Sequence, residues 1–372
     1  MKTRLKAISL FSNVGVEETY LENIGIDVLV ANEIDEKRGA FYQHLYPKTK
    51  MIVGDITNDT TQSIILHEAQ KQKIDMVIAT PPCQGMSIAG KRDPLDIRNQ
   101  LIYYAVEIIK KINPRYVFLE NVPQTITNKI TVNGKLMLNP DYLKNELGND
   151  YFFASQSLVS AQDYGVPQMR KRNIFLLTRK DQKIRWEMPT PQKRITLKDA
   201  IGDLPQVDPI LKEGIEETIK LFPDFKKKKE EALKISRFHY PPKHAKKHVI
   251  AMMHTPSGCT AFDNLIYYPK KNNGERVNGH FNTYRRLAWN KPSRTMTQNC
   301  GVISSLCCVH PGRKYVSKTG EILYSDPRCF TLLELFIVTS LPRDWNVPEW
   351  ADEKMIRKVI GEGIPPMLVK NI

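Results

Sequence analysis

The chain has 372 residues, of which 41% are hydrophobic and 26% charged, and no apolar run approaches the roughly 20 residues that a membrane-spanning helix needs. This composition is typical of a globular protein, and the length allows one large domain and a second, smaller one. Six cysteines without a Cys-x-x-Cys pair exclude a disulfide framework and predict reduced thiols. The amino terminus lacks a signal-like apolar segment, so we expect a cytoplasmic protein without a membrane partner.

The net charge of +15 is concentrated in one part of the chain. Residues 181–349 carry 28 Lys and Arg against 18 Asp and Glu, whereas residues 1–180 carry 23 against 19. A local basic excess indicates a polyanionic partner, most simply nucleic acid. A solvated lysine-rich surface is the alternative. The pair Arg285 and Arg286, set between Tyr284 and Trp289, favours nucleic acid.

The first half of the sequence alternates short apolar segments with helical patterns. In chain order the pattern predicts strand 7–11, a helix from residue 17, strand 28–32, a helix from residue 36, strand 51–53, helix 61–71, strand 75–79, helix 101–112 and strand 116–120. Further on, we expect a strand at 173–177 and a helix at 353–360. Such alternation predicts an α/β fold with a doubly wound, mostly parallel sheet.

The loop after the first strand occupies the place of a dinucleotide fingerprint but lacks its glycines. Glu17 and Glu18 would stand in the first helical turn and repel a pyrophosphate. Carboxylates there suit a cofactor with a sulfonium and an ammonium group, although the helix dipole also favours acids at a helix start. Glu33 and Asp55 end the next two strands, where acids bind a ribose and an adenine amino group. Together these features predict S-adenosylmethionine.

A lone cysteine follows the fourth predicted strand, after two prolines. Cys83 would lie at the carboxyl end of that strand, the edge where ligands bind in open α/β sheets. It can act as a nucleophile if its pKa is lowered, because the thiolate is the reactive form. The alternative is a buried structural cysteine. The rigid Pro81-Pro82 pair and the following Gln84-Gly85 favour an exposed turn.

Two further segments would place charged groups near this cysteine. Glu120 ends the fifth predicted strand, beside the strand that presents Cys83. Downstream, an extended segment carries Gln168, Arg170 and Arg172, which the alternation of a strand places on one face. That face could present guanidinium groups to the carboxyl edge of the sheet.

The motifs Pro-Pro-Cys-Gln, Glu-Asn-Val and Gln-x-Arg-x-Arg, in this order, resemble the signature of the cytosine-5 DNA methyltransferases of bacteria and phages. The likeness runs from about Ser9 to the end of the chain. It includes an Arg-x-x-Thr-x-x-Glu helix start from Arg328 and a closing Gly-Glu-Gly-Ile-Pro from Gly361. The resemblance implies the fold of S-adenosylmethionine-dependent methyltransferases with a smaller, irregular target-recognition domain.

The resemblance also implies a division of the chain. Residues 1–180 would form the catalytic and cofactor-binding domain, completed by 345–372. Residues 181–327 would form the target-recognition domain, and 328–344 would return the chain to the first domain.

The chemistry implied by the family is methyl transfer to C5 of a cytosine flipped out of duplex DNA. The Cys83 thiolate would add to C6 of the cytosine, and Glu120 would hydrogen-bond its N3 edge. Arg170 would bind the base O2, and Arg172 would orient this set of groups. The methyl donor S-adenosylmethionine would leave as S-adenosylhomocysteine, without a metal. Cofactor contacts are implied for Phe11, Asn13, Val14, Gly15, Val16, Glu33, Ile34, Asp55, Ile56, Pro82, Leu101, Glu362 and Gly363.

Double-stranded DNA is the partner we expect, bound by a monomer, and a cognate restriction endonuclease is left open. Segment 84–99 would be a loop that closes over the flipped base. The candidate DNA contacts are Gln84, Ser87, Lys91, Arg92, Arg98, Gln168, Arg285, Arg286, Arg294 and Gln298.

Two departures from the family pattern keep other interpretations open. Asn13 replaces a usual glycine, and Glu362 replaces a usual asparagine whose amide could donate hydrogen bonds that a carboxylate cannot. The alternatives are a tRNA cytosine-5 methyltransferase and a catalytically weak or partner-dependent DNA-binding member of the fold. A nicotinamide dehydrogenase is disfavoured by the two acids after the first strand. A zinc site at Cys300, Cys307, Cys308 and His310 would have an unfamiliar spacing.

Overall fold

The computed structural model describes residues 4–82, 100–132, 134–155, 157–271, 273–279, 281–306 and 308–372. Its backbone divides into two compact units. The first comprises Met1–Ser160, Lys171–Pro191 and Leu368–Ile372. The second comprises Ala161–Arg170 and Gln192–Met367. Among the described residues, no helix is both long and apolar enough to cross a membrane.

The strands, in chain order, are β1 (Leu5–Leu10), β2 (Ile26–Glu33), β3 (Lys50–Val53), β4 (Met76–Ala79), β5 (Tyr116–Asn121), β6 (Lys129–Val132), β7 (Lys135–Leu138), β8 (Tyr151–Phe153), β9 (Leu158–Ser160), β10 (Gln168–Met169), β11 (Lys171–Arg179), β12 (Ile210–Leu211), β13 (Lys243–His244), β14 (Ser293–Arg294), β15 (Lys314–Val316) and β16 (Ile322–Tyr324).

The α-helices are α1 (Glu36–Leu45), α2 (Asp59–Gln72), α3 (Leu101–Ile112), α4 (Asn139–Leu147), α5 (Leu197–Ile201), α6 (Ile215–Leu221), α7 (Phe225–Ile235), α8 (Lys246–Met253), α9 (Leu332–Val338), α10 (Glu353–Glu362) and α11 (Pro366–Asn371).

The first unit is built on a mixed sheet of eight strands, counted over the described residues. Its order is β3-β2-β1-β4-β5-β11-β8, with β9 also paired to β11. The strands from β3 to β5 run parallel, and β11 runs antiparallel to β5, β8 and β9. Apolar side chains of β1, β4 and β5 pack with the buried face of α3 in one core. The predicted α/β fold with a mostly parallel sheet is confirmed.

One predicted element is absent: no helix begins at residue 17. Residues 16–21 form turns, followed by a short 3-10 helix at Glu22–Ile24. Polar groups of the loop are instead held by aromatic side chains of α1 and the residue after it. The Tyr42 hydroxyl donates to Glu18, and the Tyr46 hydroxyl donates to the carbonyl of Gly15. Within the loop, the backbone N–H groups of Glu18 and Leu21 donate to carbonyls three residues earlier, as in turns.

The second unit is irregular, with strands of two or three residues that form two-stranded pairs. Its boundaries differ from the predicted ones. Residues 161–170 belong to it because β10 pairs with β14, and the predicted return segment 328–344 and most of 345–372 also pack within it. It is therefore as long as the first unit rather than smaller.

A buried ionic cluster organises the second unit around the start of α9. The Arg328 guanidinium donates to both Glu334 oxygens at 2.7 and 2.9 Å and to Asp326 at 2.9 Å. Thr331 and Glu334 also cap the helix reciprocally. Although burial opposes ionisation, Arg328 and His310 hold the pKa of Glu334 down at about 2. The Arg-x-x-Thr-x-x-Glu segment therefore has a structural role.

We predict that Arg328→Met lowers the free energy of unfolding by about 3–5 kcal/mol, because two buried carboxylates lose their cation. Urea denaturation measures the change. Arg343→Met, at an exposed position of the same unit, is the matched control and should stay within about 0.5 kcal/mol of the wild type. Equal stabilities of the two variants would contradict the role of the cluster.

Candidate active site

The loop that follows β1 has a strained backbone at the carboxyl edge of the sheet. Phe11, Asn13 and Gly15 have φ values of 60°, 50° and 73°, in the left-handed region. Asparagine tolerates this region better than most residues, so the turn survives the loss of a glycine at position 13. A Cβ atom at Gly15 would lie 2.5 Å from the Tyr46 ring, so this position requires glycine. Strain of this kind is concentrated at functional sites.

The acids at the ends of β2 and β3 are in place at the same edge. Glu33 accepts hydrogen bonds from the backbone N–H groups of Asn13 at 2.9 Å and Asp35 at 3.1 Å. Burial raises the pKa of Glu33 despite these donors. Asp55 is exposed and accepts from the N–H and the hydroxyl of Thr57, both at 2.9 Å. The two carboxylates keep free lone pairs for a ligand.

Apolar side chains accompany these acids. Ile34 is 64% exposed directly after Glu33, whereas Ile56 is buried directly after Asp55. The amide of Asn32 donates to the carbonyls of Ile52 at 2.9 Å and of residue 54 at 3.0 Å, which fixes the end of β2 against the end of β3. An exposed aliphatic side chain directly after an acid that ends a strand suits the face of a nucleobase.

The other cofactor candidates of the first unit fall into two groups. Val14 and Val16 are fully buried, so only their main-chain groups are available to a ligand. Pro82 and Leu101 are half-buried; Leu101 is the first residue of α3.

The end of β5 carries an ion pair. Arg172 Nε lies 2.6 Å from Glu120 Oε1, and both side chains are largely buried. Asn121, the next residue, donates from its amide to the carbonyl of Pro81 at 3.0 Å, which anchors the Pro-Pro turn to β5. Sequence reasoning assigned no role to Asn121, although the Glu-Asn-Val motif contains it.

The carboxyl edge is electrostatically unusual, because four of its carboxylates are buried: Glu17, Glu18, Glu33 and Glu120. Burial raises the pKa of Glu18 to about 7, although the hydrogen bond from Tyr42 opposes the shift. The pKa of Glu17 is also raised well above its usual range, by burial and by the charges of the other three. Such an edge favours a cationic ligand.

Arg170 is placed differently from Arg172. It belongs to the second unit, where its guanidinium donates to the carbonyls of Met296 at 2.9 Å and of Gly361 and Glu362 at 3.0 Å each. The predicted single face of three side chains does not form, because the chain is not in a strand at Arg170, between β10 and β11. Of the two arginines, Arg172 is the one that forms an ion pair with Glu120.

Gln168 and Arg286 are structural rather than DNA-facing. The Gln168 side chain is fully buried, donates to the carbonyl of Val338 and accepts from the N–H of Met296, both at 3.3 Å. Arg286 is 1% exposed, and burial lowers its pKa to about 9. Its guanidinium donates to the carbonyls of Met252, His310, Tyr324 and Asp326. The prediction that these two side chains contact DNA is therefore wrong.

The remaining candidates of the second unit keep surface. Arg285 is half-buried and donates to the carbonyl of Gly258 at 2.7 Å, while Arg294 and Gln298 are exposed. In the closing motif Glu362 is half-buried, and Gly363 is buried. A Cβ atom at Gly361 would lie within 2.6 Å of the backbone at 297–298, so this glycine is required for packing.

Several predicted site residues lie outside the described residues: Cys83, Gln84, Ser87, Lys91, Arg92 and Arg98. Cys307 lies outside them as well. In the part of the chain that the structure describes, no group of three or more His, Cys, Asp or Glu side chains is arranged to hold a metal ion.

Comparisons with known proteins show the family of this chain. Residues 5–372 match the family model described as C-5 cytosine-specific DNA methylase. The chain is 38% identical to the Type II methyltransferase M1.HgaI of Avibacterium volantium, over 100% of this chain and 98% of that protein. It is 35% identical to the Type II methyltransferase M.NgoPII of Neisseria gonorrhoeae, over 54% of this chain and 57% of that protein.

Two solved structures are similar along their whole length. One is a prophage-encoded chain of E. coli described as a DNA modification methyltransferase, with a TM-score of 0.66, 21% identity and coverage of 99% of this chain and 97% of that one. The other is the Dnmt2 methyltransferase of S. pombe, with a TM-score of 0.57, 14% identity and coverage of 99% and 96%. At these identities they support the fold alone.

We predict that two arginines of the basic segment differ strongly in their contribution to stability. Arg286→Met should lower the free energy of unfolding by about 3 kcal/mol or more, because four buried carbonyls lose a charged donor. Arg294→Met, at an exposed arginine, should change it by less than about 0.5 kcal/mol. Urea denaturation of both variants measures the difference; an Arg286→Met protein as stable as the wild type would contradict the structural assignment.

Proposed function

The chain belongs to the C-5 cytosine-specific DNA methylase family, and we propose that it transfers the methyl group of S-adenosylmethionine to C5 of a flipped-out cytosine in a specific duplex site. The observation that carries the proposal is the Glu120–Arg172 pair, set beside the Pro-Pro turn that Asn121 anchors. Cys83 follows that turn in the sequence. A nucleophile and a carboxyl group that binds the base then come from neighbouring strand ends.

The Cys83 thiolate is the proposed nucleophile. Its addition to C6 of cytosine makes C5 electron-rich, so that C5 can accept a methyl group. Loss of the C5 proton and of the thiolate then restores the aromatic ring. In a stacked duplex C6 cannot be reached, so the base must be flipped out, at a cost of a few kcal/mol.

Glu120 is the proposed partner of the cytosine N3 edge. A carboxyl group hydrogen-bonded at N3 stabilises the charge that thiolate addition pushes into the ring. Arg172 Nε fixes one oxygen of Glu120, and we assign to Arg172, rather than Arg170, the contact with the base O2. The reason is that the Arg170 guanidinium donates hydrogen bonds to main-chain carbonyls of the second unit.

The ends of β2 and β3 are the proposed adenosine site. Glu33 would accept from the ribose hydroxyls, Ile34 would cover a face of the adenine, and Asp55 would accept from its amino group. The chemistry of these donors and acceptors fits S-adenosylmethionine, as does the excess of buried carboxylate. When bound, this group supplies an electrophilic methyl.

The proposed partner is double-stranded DNA, contacted by the second unit. Arg285, Arg294 and Gln298 retain surface there, within the segment that carries most of the excess positive charge. Relatives named Type II methyltransferases support a modification role beside a restriction endonuclease.

Covalent trapping tests the nucleophile. A duplex with 5-fluorocytosine at the target position should form a stable adduct with the wild type in the presence of S-adenosylmethionine, because fluorine at C5 blocks elimination. Cys83→Ser should form none, whereas Cys259→Ser, the matched control at a half-buried cysteine, should react as the wild type does. A Cys83→Ser adduct, or trapping on tRNA in place of duplex DNA, would refute the proposal.

Glu120→Gln should lower kcat by about 10²- to 10⁴-fold, the usual contribution of a positioned acid or base. The dissociation constant for S-adenosylmethionine should change little, because Glu120 is assigned to the base. Single-turnover methyl transfer and calorimetric titration measure the two quantities. A variant that retains full activity would rule out the assigned role of Glu120.

A further inference from the structure

One buried carboxylate of the carboxyl edge has no function in the mechanism above. Glu17 lies in the loop after β1 and is 3% exposed. Its neighbours include three other acids, Glu18, Glu33 and Glu120, whose charges raise its pKa. The phenol of Tyr46 also faces it.

Each of the other acids has a partner that Glu17 lacks. Tyr42 donates to Glu18, two backbone N–H groups donate to Glu33, and Arg172 pairs with Glu120. Glu17 accepts only from its own backbone N–H, and within the described ranges it forms no ion pair. A charged group buried in this way costs free energy unless a cation compensates it.

The sheet order places Glu17 between two proposed subsites. β1 lies between β2, which ends at Glu33, and β4, whose other neighbour β5 carries Glu120 at its end. The loop after β1 therefore lies between the acid assigned to the ribose and the acid assigned to the cytosine. In S-adenosylmethionine the sulfonium and the methionyl chain must lie there, because they join the adenosine to the methyl group that is transferred.

We infer that Glu17 is a cofactor-binding residue whose carboxylate pairs with a cation of the methionyl part of S-adenosylmethionine. This inference rests on the proposed function and adds a residue to its donor site. The cofactor carries two such cations: the ammonium group, which the product shares, and the sulfonium, which the product lacks. Either would compensate the carboxylate in a site of low dielectric constant.

Cofactor binding at Glu17 should also displace a proton. Burial and the charges of Glu18, Glu33 and Glu120 raise the pKa of Glu17 well above its usual range, so Glu17 binds a proton more readily than a free glutamate does. A bound cation favours the charged form, so cofactor binding should release that proton. Glutamine at this position has no proton to release.

Calorimetric titration of the wild type, Glu17→Gln and Glu22→Gln tests the inference. Glu22 is the matched control because it begins the short 3-10 helix that follows this loop and its side chain is 74% exposed. We expect Glu17→Gln to bind S-adenosylmethionine at least tenfold more weakly and Glu22→Gln to bind it as the wild type does. If Glu17→Gln loses as much affinity for S-adenosylhomocysteine as for S-adenosylmethionine, Glu17 contacts the ammonium group. If its affinity for S-adenosylhomocysteine is unchanged, Glu17 contacts the sulfonium.

Titrations of S-adenosylmethionine in phosphate and Tris buffers measure proton release. The wild type should release up to one proton and Glu17→Gln fewer, while the variant melts no lower than the wild type without cofactor. Glu17→Gln binding within twofold of the wild type, with unchanged proton release, would overturn the inference and leave the proposed function intact. A wild type that does not bind the cofactor would overturn both.

Discussion

The burial of carboxylates at one edge of a sheet is the constraint on which the account of this protein depends. Water solvates a free carboxylate well, so each acid taken into the fold needs a donor, a cation or a proton. Glu33 receives backbone N–H groups and Glu120 receives a guanidinium. Glu18 receives a phenol, and Glu17 receives neither a cation nor a second donor. A cationic ligand, as the proposed function requires, would compensate carboxylates buried in this way.

The sheet supplies the spacing of these groups. Parallel pairing brings the ends of β2, β1, β4 and β5 to the same edge, and two asparagine amides fix neighbouring ends to each other. Asn32 ties the end of β2 to that of β3, and Asn121 ties the end of β5 to the turn after β4. Functional groups on a scaffold of this kind hold their positions without a ligand, which is what catalysis by orientation requires.

Much of the first unit could be predicted from the sequence, because periodic apolar patterns report burial. The helix predicted at 101–112 occurs with those bounds, and the five strands from β1 to β5 all form. The helix expected from residue 17 does not form: residues 16–21 are turns, and Tyr42 and Tyr46 of another element contact this loop. Such contacts leave no periodic signal.

The groups that the arginine side chains contact could not be predicted for a related reason. Arg170 and Arg172 look equivalent in the sequence, yet one meets carbonyls 191 and 192 residues further along the chain and the other meets a carboxylate on the adjacent strand. Arg286 lies in a basic, aromatic segment typical of a DNA surface, but its guanidinium is enclosed by main-chain carbonyls. Composition indicates the partner of a segment, whereas only the fold shows which side chains remain free for it.

Bisulfite sequencing of genomic DNA from a host without cytosine-5 methylation of its own tests the central claim most directly. We predict that expression of the wild-type chain protects cytosines at one recurrent duplex sequence and nowhere else, while an empty vector protects none. Complete conversion of every cytosine in cells that contain the folded protein would contradict it.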